Sequence, residues 1–262
     1  LRLRLGGTTF AKANIPNIEN VSEEYLNLPV DPDNTYSVPY QVNTIGIGYN
    51  RTRAGEVSGW GDLLAYDGPV AWLEDLRAMM GMALTMVGYD PNTGNPDEIA
   101  EARDFLVENG DNVVYIAQDD GQELLLRGEA DIVIEYSGDI FQIIDECGCD
   151  DYAYVIPEEG AQIAVDNLAV PVGAPNKPLA EVFIDYILDP QVGADVSNYT
   201  AYGSPNEAAI AEGLIDEDLL ENPGIYPTGE ISARLFSIVN DAELEELYNN
   251  AWDEVKIFVG GG

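Results

Sequence analysis

Apolar and polar residues along this chain fall into two alternating rhythms. Short β-branched or aromatic runs at residues 69–73, 112–117, 132–134, 152–156 and 162–170 read as strands. Between them lie segments with helical spacing. Asp75 precedes one that runs to about residue 87 and carries all four methionines, Met79, Met80, Met82 and Met86. Asn95-Pro96-Asp97-Glu98 reads as cap, first-turn proline and acidic first turn of a second helix, which runs to about Glu108 and stops at Gly110. A third spans 119–127 and closes at Gly128. Strand and helix alternating across 112–156 imply a mostly parallel sheet with helical crossovers, an α/β fold.

The flanks read differently. Residues 1–35 are turn-rich, broken by Pro16, Pro29, Pro32 and Asn34. Residues 38–50 read as a strand pair kinked at Gly46 and Gly48. From Lys177 onward, Leu179, Val182, Phe183, Tyr186 and Ile187 recur at helical spacing until Asp189-Pro190. A last long helix is expected from about Asp241 to Val255, with a stripe that includes Leu247, Tyr248 and Trp252.

The stretch that concentrates chemistry is Ile132-Val-Ile-Glu-Tyr-Ser-Gly-Asp139. A buried strand ends in Glu135 and Tyr136, and the chain turns through Ser137-Gly138-Asp139 into an apolar helix. Ligands of open α/β sheets sit beyond the carboxyl ends of strands. A ring with two carboxylates there is what an organic cation needs. The plain structural reading is a strand-to-helix loop in which Ser137 or Asp139 is the N-cap. Asp75, Asp166 and Tyr202 join this acidic and aromatic set, and each also has a structural reading: helix cap, turn residue and packed loop ring.

Charge narrows the partners. Forty-eight acidic residues face eleven basic ones, a net charge of −37 over 262 residues. Such a field repels nucleic acid and anionic lipid and attracts cations; an acidic surface also serves solubility. Histidine is missing, which removes Ser-His-Asp and Cys-His catalysis and imidazole metal sites. Cys147 and Cys149 flank Gly148 among Glu146, Asp150 and Asp151, a poor zinc set that leaves a local disulfide or two thiols open. Walker, nucleophile-elbow and Cys-x-x-Cys motifs are lacking, so neither catalytic residue nor cofactor nor metal is assigned. No apolar run reaches the ~20 residues of a membrane span. Leu1–Leu5 has no apolar signal core or cleavage site.

A collinear series of short motifs then adds a family likeness. Val38-Pro-Tyr40, Gly46-Ile-Gly-Tyr-Asn50, Glu74-Asp-Leu-Arg77, Val87-Gly-Tyr-Asp-Pro-Asn-Thr93, Tyr136-Ser-Gly-Asp139, Tyr154-Val-Ile-Pro-Glu-Glu-Gly160, Val165-Asp-Asn-Leu-Ala-Val-Pro171, Tyr202-Gly-Ser-Pro-Asn206, Asn222-Pro-Gly-Ile-Tyr-Pro227 and Trp252-Asp-Glu-Val-Lys256 together resemble spermidine/putrescine-binding proteins, the substrate-binding subunits of polyamine ABC transporters. The likeness covers nearly the whole chain from about residue 14.

This resemblance implies a two-lobed, periplasmic-binding-protein-like (type II) α/β fold with hinge strands that closes around its ligand. The implied lobes are 1–40 with 165–211, and 41–164 with 212–262. It implies capture of putrescine or spermidine between the lobes for an ABC permease, without catalysis, in the periplasm or outside the cell. By position, Asp75, Asp139 and Asp166 match ligand carboxylates, Tyr136 stands where a tryptophan usually stacks on the methylene chain, and Tyr202 matches a cleft tyrosine. Glu135 is the added, non-family acid beside them. Roughly 80 or more further residues are implied ahead of this start, given lobes of ~100 residues. The first lobe is therefore expected to be incomplete here, completed and membrane-anchored by an absent N-terminal segment or completed by a partner chain. Two other readings stay open: the same fold binding another small solute, and a truncated interaction or structural remnant that binds none.

Overall fold

A computed structural model describes residues 7–28, 31–239 and 244–259. Leu1–Leu5, Pro29 and Asp241 of the expectations above lie outside the described residues. In chain order, two 3-10 turns (Lys12–Asn14 and Pro16–Asn20) precede strand β1 (Ser37–Asn50) and helices α1 (Arg51–Ala54) and α2 (Trp60–Ala65). Then come β2 (Val70–Leu73), α3 (Leu76–Met86), α4 (Pro96–Glu108), β3 (Val113–Ala117), α5 (Gly121–Arg127), β4 (Ile132–Tyr136), α6 (Ser137–Cys147), β5 (Tyr152–Val155) and β6 (Ala161–Ala169). Helices α7 (Lys177–Ile187), α8 (Pro190–Thr200), α9 (Glu207–Ala211), α10 (Glu217–Leu220) and α11 (Gly229–Ala233) follow, then β7 (Leu235–Phe236) and α12 (Glu245–Val259).

The chain forms two compact units, residues 1–43 with 164–226, and 44–163 with 227–262. β1 carries the chain from the first into the second and β6 carries it back. The last crossing lies at Tyr226–Pro227, beyond the expected Ala211. The segment in between stays with the first unit because Leu214, Ile215, Leu219, Leu220 and Tyr226 pack with Ala194 and Ala209.

In the second unit β2 pairs in parallel with both β3 and β4, as the strand–helix rhythm requires. β1 runs antiparallel to β4 and β5. The expected strand pair over 38–50 is one long strand, so its glycines do not form a turn. They let neighbours close in: a Cβ at Gly48 would stand 2.5 Å from Cδ1 of Ile140, and one at Gly46 2.6 Å from the Tyr154 hydroxyl. The core on one side gathers Ile45, Ile47, Trp72, the buried methionines Met79, Met80 and Met82, Leu106, Tyr248 and Trp252. The other side is lined by Leu125, Val133, Ile140 and Ile143. Helix α4 has the expected start, Asn95 accepting from the Asp97 N–H and Pro96 in the first turn. Cys147 and Cys149 are joined as a disulfide just after α6.

The first unit holds a smaller core of Ile15, Val21, Val38, Val170, Ile184 and Leu188. Helix α7 departs from the expectation of its apolar stripe. The residues it buries are Glu181 and Ile184, whereas Leu179, Val182, Phe183 and Tyr186 are exposed. Glu181 is drawn inward because it accepts from the Ala11 N–H at 2.8 Å and from Asn14 Nδ2 at 2.7 Å, with Lys177 Nζ 3.3 Å away.

Gly48→Ala is expected to destabilise the second unit by about 1–3 kcal/mol through overpacking against Ile140. Urea denaturation monitored by tryptophan fluorescence checks this, and Gly48→Ala paired with Ile140→Val should recover part of the loss.

An acidic and aromatic site at the ends of β2 and β4

The site in the second unit is built where β2 and β4 end side by side. Asp75 follows β2 and caps α3, accepting from the N–H groups of Arg77 at 2.9 Å and Ala78 at 3.0 Å. Its structural reading therefore holds, and it occupies one carboxylate oxygen. The other oxygen, Oδ2, lies 3.5 Å from the hydroxyl of Tyr136. Tyr136 ends β4 and stands at the N-cap position of α6 without making a side-chain cap bond. Asp139 sits in the first turn of α6, where the helix N-terminus favours its charge. Ser137 is buried, and its hydroxyl accepts from the Thr44 N–H at 3.3 Å. Neither Ser137 nor Asp139 is the N-cap, because the helix begins directly after the strand and Ser137 already belongs to its first turn.

Glu135 is placed otherwise than a ligand-facing acid. Its side chain is fully buried. It accepts from the main-chain N–H of Gly121 at 3.0 Å and of Tyr136 at 2.9 Å. A Cβ on Gly121 would collide with that carboxylate, so glycine is what lets the α5 main chain approach it. Burial pushes the Glu135 carboxyl up to about 8; the Tyr136 and Gly121 N–H groups oppose this, and Asp139 and Asp119 add to it. Burial raises the Tyr154 hydroxyl, its hydrogen bond with Thr44 opposes this, and the Glu135 charge adds to it.

Oxygens of Asp119, Glu135 and Asp139 lie within 4.8 Å of one another. Asp119 was not singled out by the sequence pattern. Its signal was positional, an acid just beyond the carboxyl end of β3. Three carboxylates form a hard donor set, but calcium takes six to eight oxygens, and Glu135 is already committed to two N–H groups. The arrangement suits a monovalent organic cation better than a metal ion.

The first unit holds a second, smaller group. Asp166 on β6 accepts from Asn43 Nδ2 at 3.2 Å, and burial raises its carboxyl while that bond lowers it. Burial, and after it the Asp166 charge, raise the Tyr40 hydroxyl. Tyr202 precedes Gly203, whose main chain exchanges two 2.8 Å hydrogen bonds with Val42. Asp166 and Tyr202 are thus both anchored to the Val42–Asn43 stretch. The structure brings Asp75 and Tyr136 into contact and Asp139 close to Asp119 and Glu135 in one unit, sets Asp166 and Tyr202 in the other, and turns Glu135 inward.

Two units of α/β structure joined by strands, with acids and rings near strand ends, have the architecture of a solute-binding protein of the periplasmic-binding-protein type. Residues 8–224 match the family model described as bacterial extracellular solute-binding protein. The chain belongs to that family. It is 30% identical over 267 residues to the putrescine-binding periplasmic protein PotF of Escherichia coli, covering 94% of this chain and 72% of that protein. It is 28% identical to the putrescine-binding periplasmic protein SpuD of Pseudomonas aeruginosa, again over 94% of this chain and 72% of that one. Among solved structures, the spermidine/putrescine ABC transporter substrate-binding protein PotD of Streptococcus pneumoniae superposes with a TM-score of 0.82 at 27% identity, over 97% of this chain and 78% of that chain. Among the described residues no helix is long and apolar enough to cross a membrane.

The Glu135 carboxyl gives a signed pH test. Its folded value lies above the unfolded one, so its contribution favours the folded state at low pH and is lost as pH rises from about 4.5 towards 8. Glu135→Gln removes that dependence. The stability advantage of the parent protein over the variant should therefore shrink or reverse between pH 5 and pH 8. Urea midpoints at the two pH values check it; an advantage that grows with pH would refute the buried-acid assignment.

Proposed function

We propose that this chain is the substrate-binding component of an ABC importer and captures a linear polyamine, putrescine or spermidine, outside the cytoplasm for delivery to a membrane permease. The observation that carries the reading is the contact of Asp75 with Tyr136 at the ends of β2 and β4, with Asp139 in the helix turn that follows. Two carboxylates hold an ammonium, and the tyrosine face packs along the methylene chain. Asp166, with Tyr202 anchored to the same stretch of β1, supplies a second acidic and aromatic group suited to another ammonium. Putrescine and spermidine, for which these relatives are named, have this chemistry. Nothing in such capture requires a bond to be made or broken, so the protein acts as a receptor and not as an enzyme.

Glu135 supports the site without touching the ligand. Held neutral near pH 7, it keeps Asp139 from facing a second full negative charge across a few ångströms. The overall charge of −37 adds long-range attraction for a dication. In this reading further polypeptide, an N-terminal segment or a partner chain, completes the first unit and provides the membrane anchor.

Isothermal titration with putrescine and spermidine at low salt is expected to give one-to-one binding. Asp139→Ala and Asp166→Ala should each weaken it by at least about tenfold, roughly 1.4 kcal/mol. Unchanged affinity in both variants would overturn the site. No heat with either amine, alongside a thermal-shift response to a different small solute, would replace the ligand class.

A further inference from the structure

Strands β1 and β6 carry a single charged side chain between them, Asp166. It is half-buried in the first unit. Among the described residues its carboxylate has one hydrogen-bond partner, Asn43 of the same unit, whose Nδ2 donates to Oδ2 at 3.2 Å. Asn43 is itself only 5% exposed. Its Oδ1 is buried as well and accepts no hydrogen bond among the described residues. Only the NH2 end of an amide can donate to a carboxylate, so Asp166 fixes which way Asn43 points. Burying an acceptor without a partner costs the desolvation of that group. The fold gains in exchange only the one bond to a half-buried acid that water could also serve, so Asn43 is oriented for Asp166 rather than for the strand it sits on.

We infer that Asn43 is the positioning residue of an ammonium subsite at Asp166, holding that carboxylate in place and in its charged form for the amine. The inference rests on the proposed capture of a polyamine and deepens it at this end. An ammonium is held by a carboxylate far better than by a carboxylic acid, so the group must stay ionised where it is desolvated. Burial raises the Asp166 carboxyl, and the bond from Asn43 lowers it. The other titratable group coupled to it is the Tyr40 hydroxyl on β1, which burial and then the Asp166 charge raise, so it stays neutral while the acid titrates. A lysine or arginine in place of Asn43 would hold the carboxylate more firmly, but its charge would also repel the incoming ammonium. A neutral amide supports the negative charge without competing for it. Asn43 takes Oδ2 and leaves Oδ1 of Asp166 for the ligand.

The test is titration calorimetry with putrescine at pH 5 and pH 8, at one ionic strength, on the parent, Asn43→Ala, Asp166→Asn and the double variant, together with thermal midpoints without ligand. Asn43→Ala should weaken putrescine at pH 8 by at least about threefold and by clearly more at pH 5. The sign follows from the lost bond: without it the carboxyl keeps its proton to higher pH, so the acid limb of the binding profile moves up. The midpoint should stay in place or rise, because the variant also removes the unpartnered Oδ1. In the Asp166→Asn background, Asn43→Ala should cost nothing further, since it acts through that acid. An Asn43→Ala variant that binds like the parent at both pH values would overturn the inference. So would a lowered midpoint or a failure to fold, which would make Asn43 a residue of the strand alone, and so would an equal loss with Asp166 already replaced. The two readings separate on the parent: if it captures putrescine and the variant is indifferent, only this inference falls, whereas a parent that captures no amine takes the polyamine reading down with it.

Discussion

Most carboxylates in this protein must be satisfied without a cation of their own, and much of the structure follows from that constraint. Forty-eight acidic side chains share eleven basic ones. The buried acids Asp31, Glu135 and Glu181 are all held by main-chain N–H groups. Burial raises the Asp31 carboxyl, but the N–H groups of Tyr36, Thr35 and Ser37 and the Ser37 hydroxyl outweigh it and leave the carboxyl below its ordinary value. Glu159 binds the N–H groups of Trp60 and Gly61 in the same manner. A carboxylate bound by several N–H groups is stabilised in its charged form without a counter-ion. Each such bond also fixes a turn of the chain, so the acids organise loops as well as carry charge.

Glu135 shows where that solution reaches its limit. Two N–H donors do not offset full burial with Asp119 and Asp139 close by, and the group becomes a weak acid. The fully buried Glu135 carboxyl stands behind the less buried Asp139 at the mouth of the strand ends. The acidic cluster is thereby divided into a structural member and outward-facing members. Burial makes that division, and residue type does not. Tyr136, set between Asp75 and this cluster, offers the apolar face that a purely acidic site lacks.

The strands and helices were largely legible in the chain; the order of strands in the sheet was not. The β-branched runs, the Asn95-Pro96 helix start and the glycine-flanked segments each specify local backbone geometry, and local geometry is what periodicity reports. Gly46 and Gly48 were visible as special positions, but their role was not. A glycine that permits a bend and one that permits close approach look alike in sequence, and the side chains of Ile140 and Tyr154 that decide the matter come from distant elements. Helix α7 shows the same limit. Its apolar stripe was plain, yet the anchoring of Glu181 to Ala11 and Asn14 points the stripe outward.

For the site, the sequence by itself determined the residue types and their places along the chain: Asp75 after β2, Tyr136 at the end of β4, Asp139 just beyond it and Asp166 within β6. It also determined the family, because ordered motifs along one chain constrain one another. Tertiary structure alone decided which acids share a neighbourhood, that Glu135 turns inward while Asp139 does not, and that Asp119, which no motif marked, joins them. The physical reason is that desolvation and hydrogen bonding to distant N–H groups set a carboxyl's charge and direction. Those partners, such as Gly121 for Glu135 and Asn43 for Asp166, meet it only once the chain has folded.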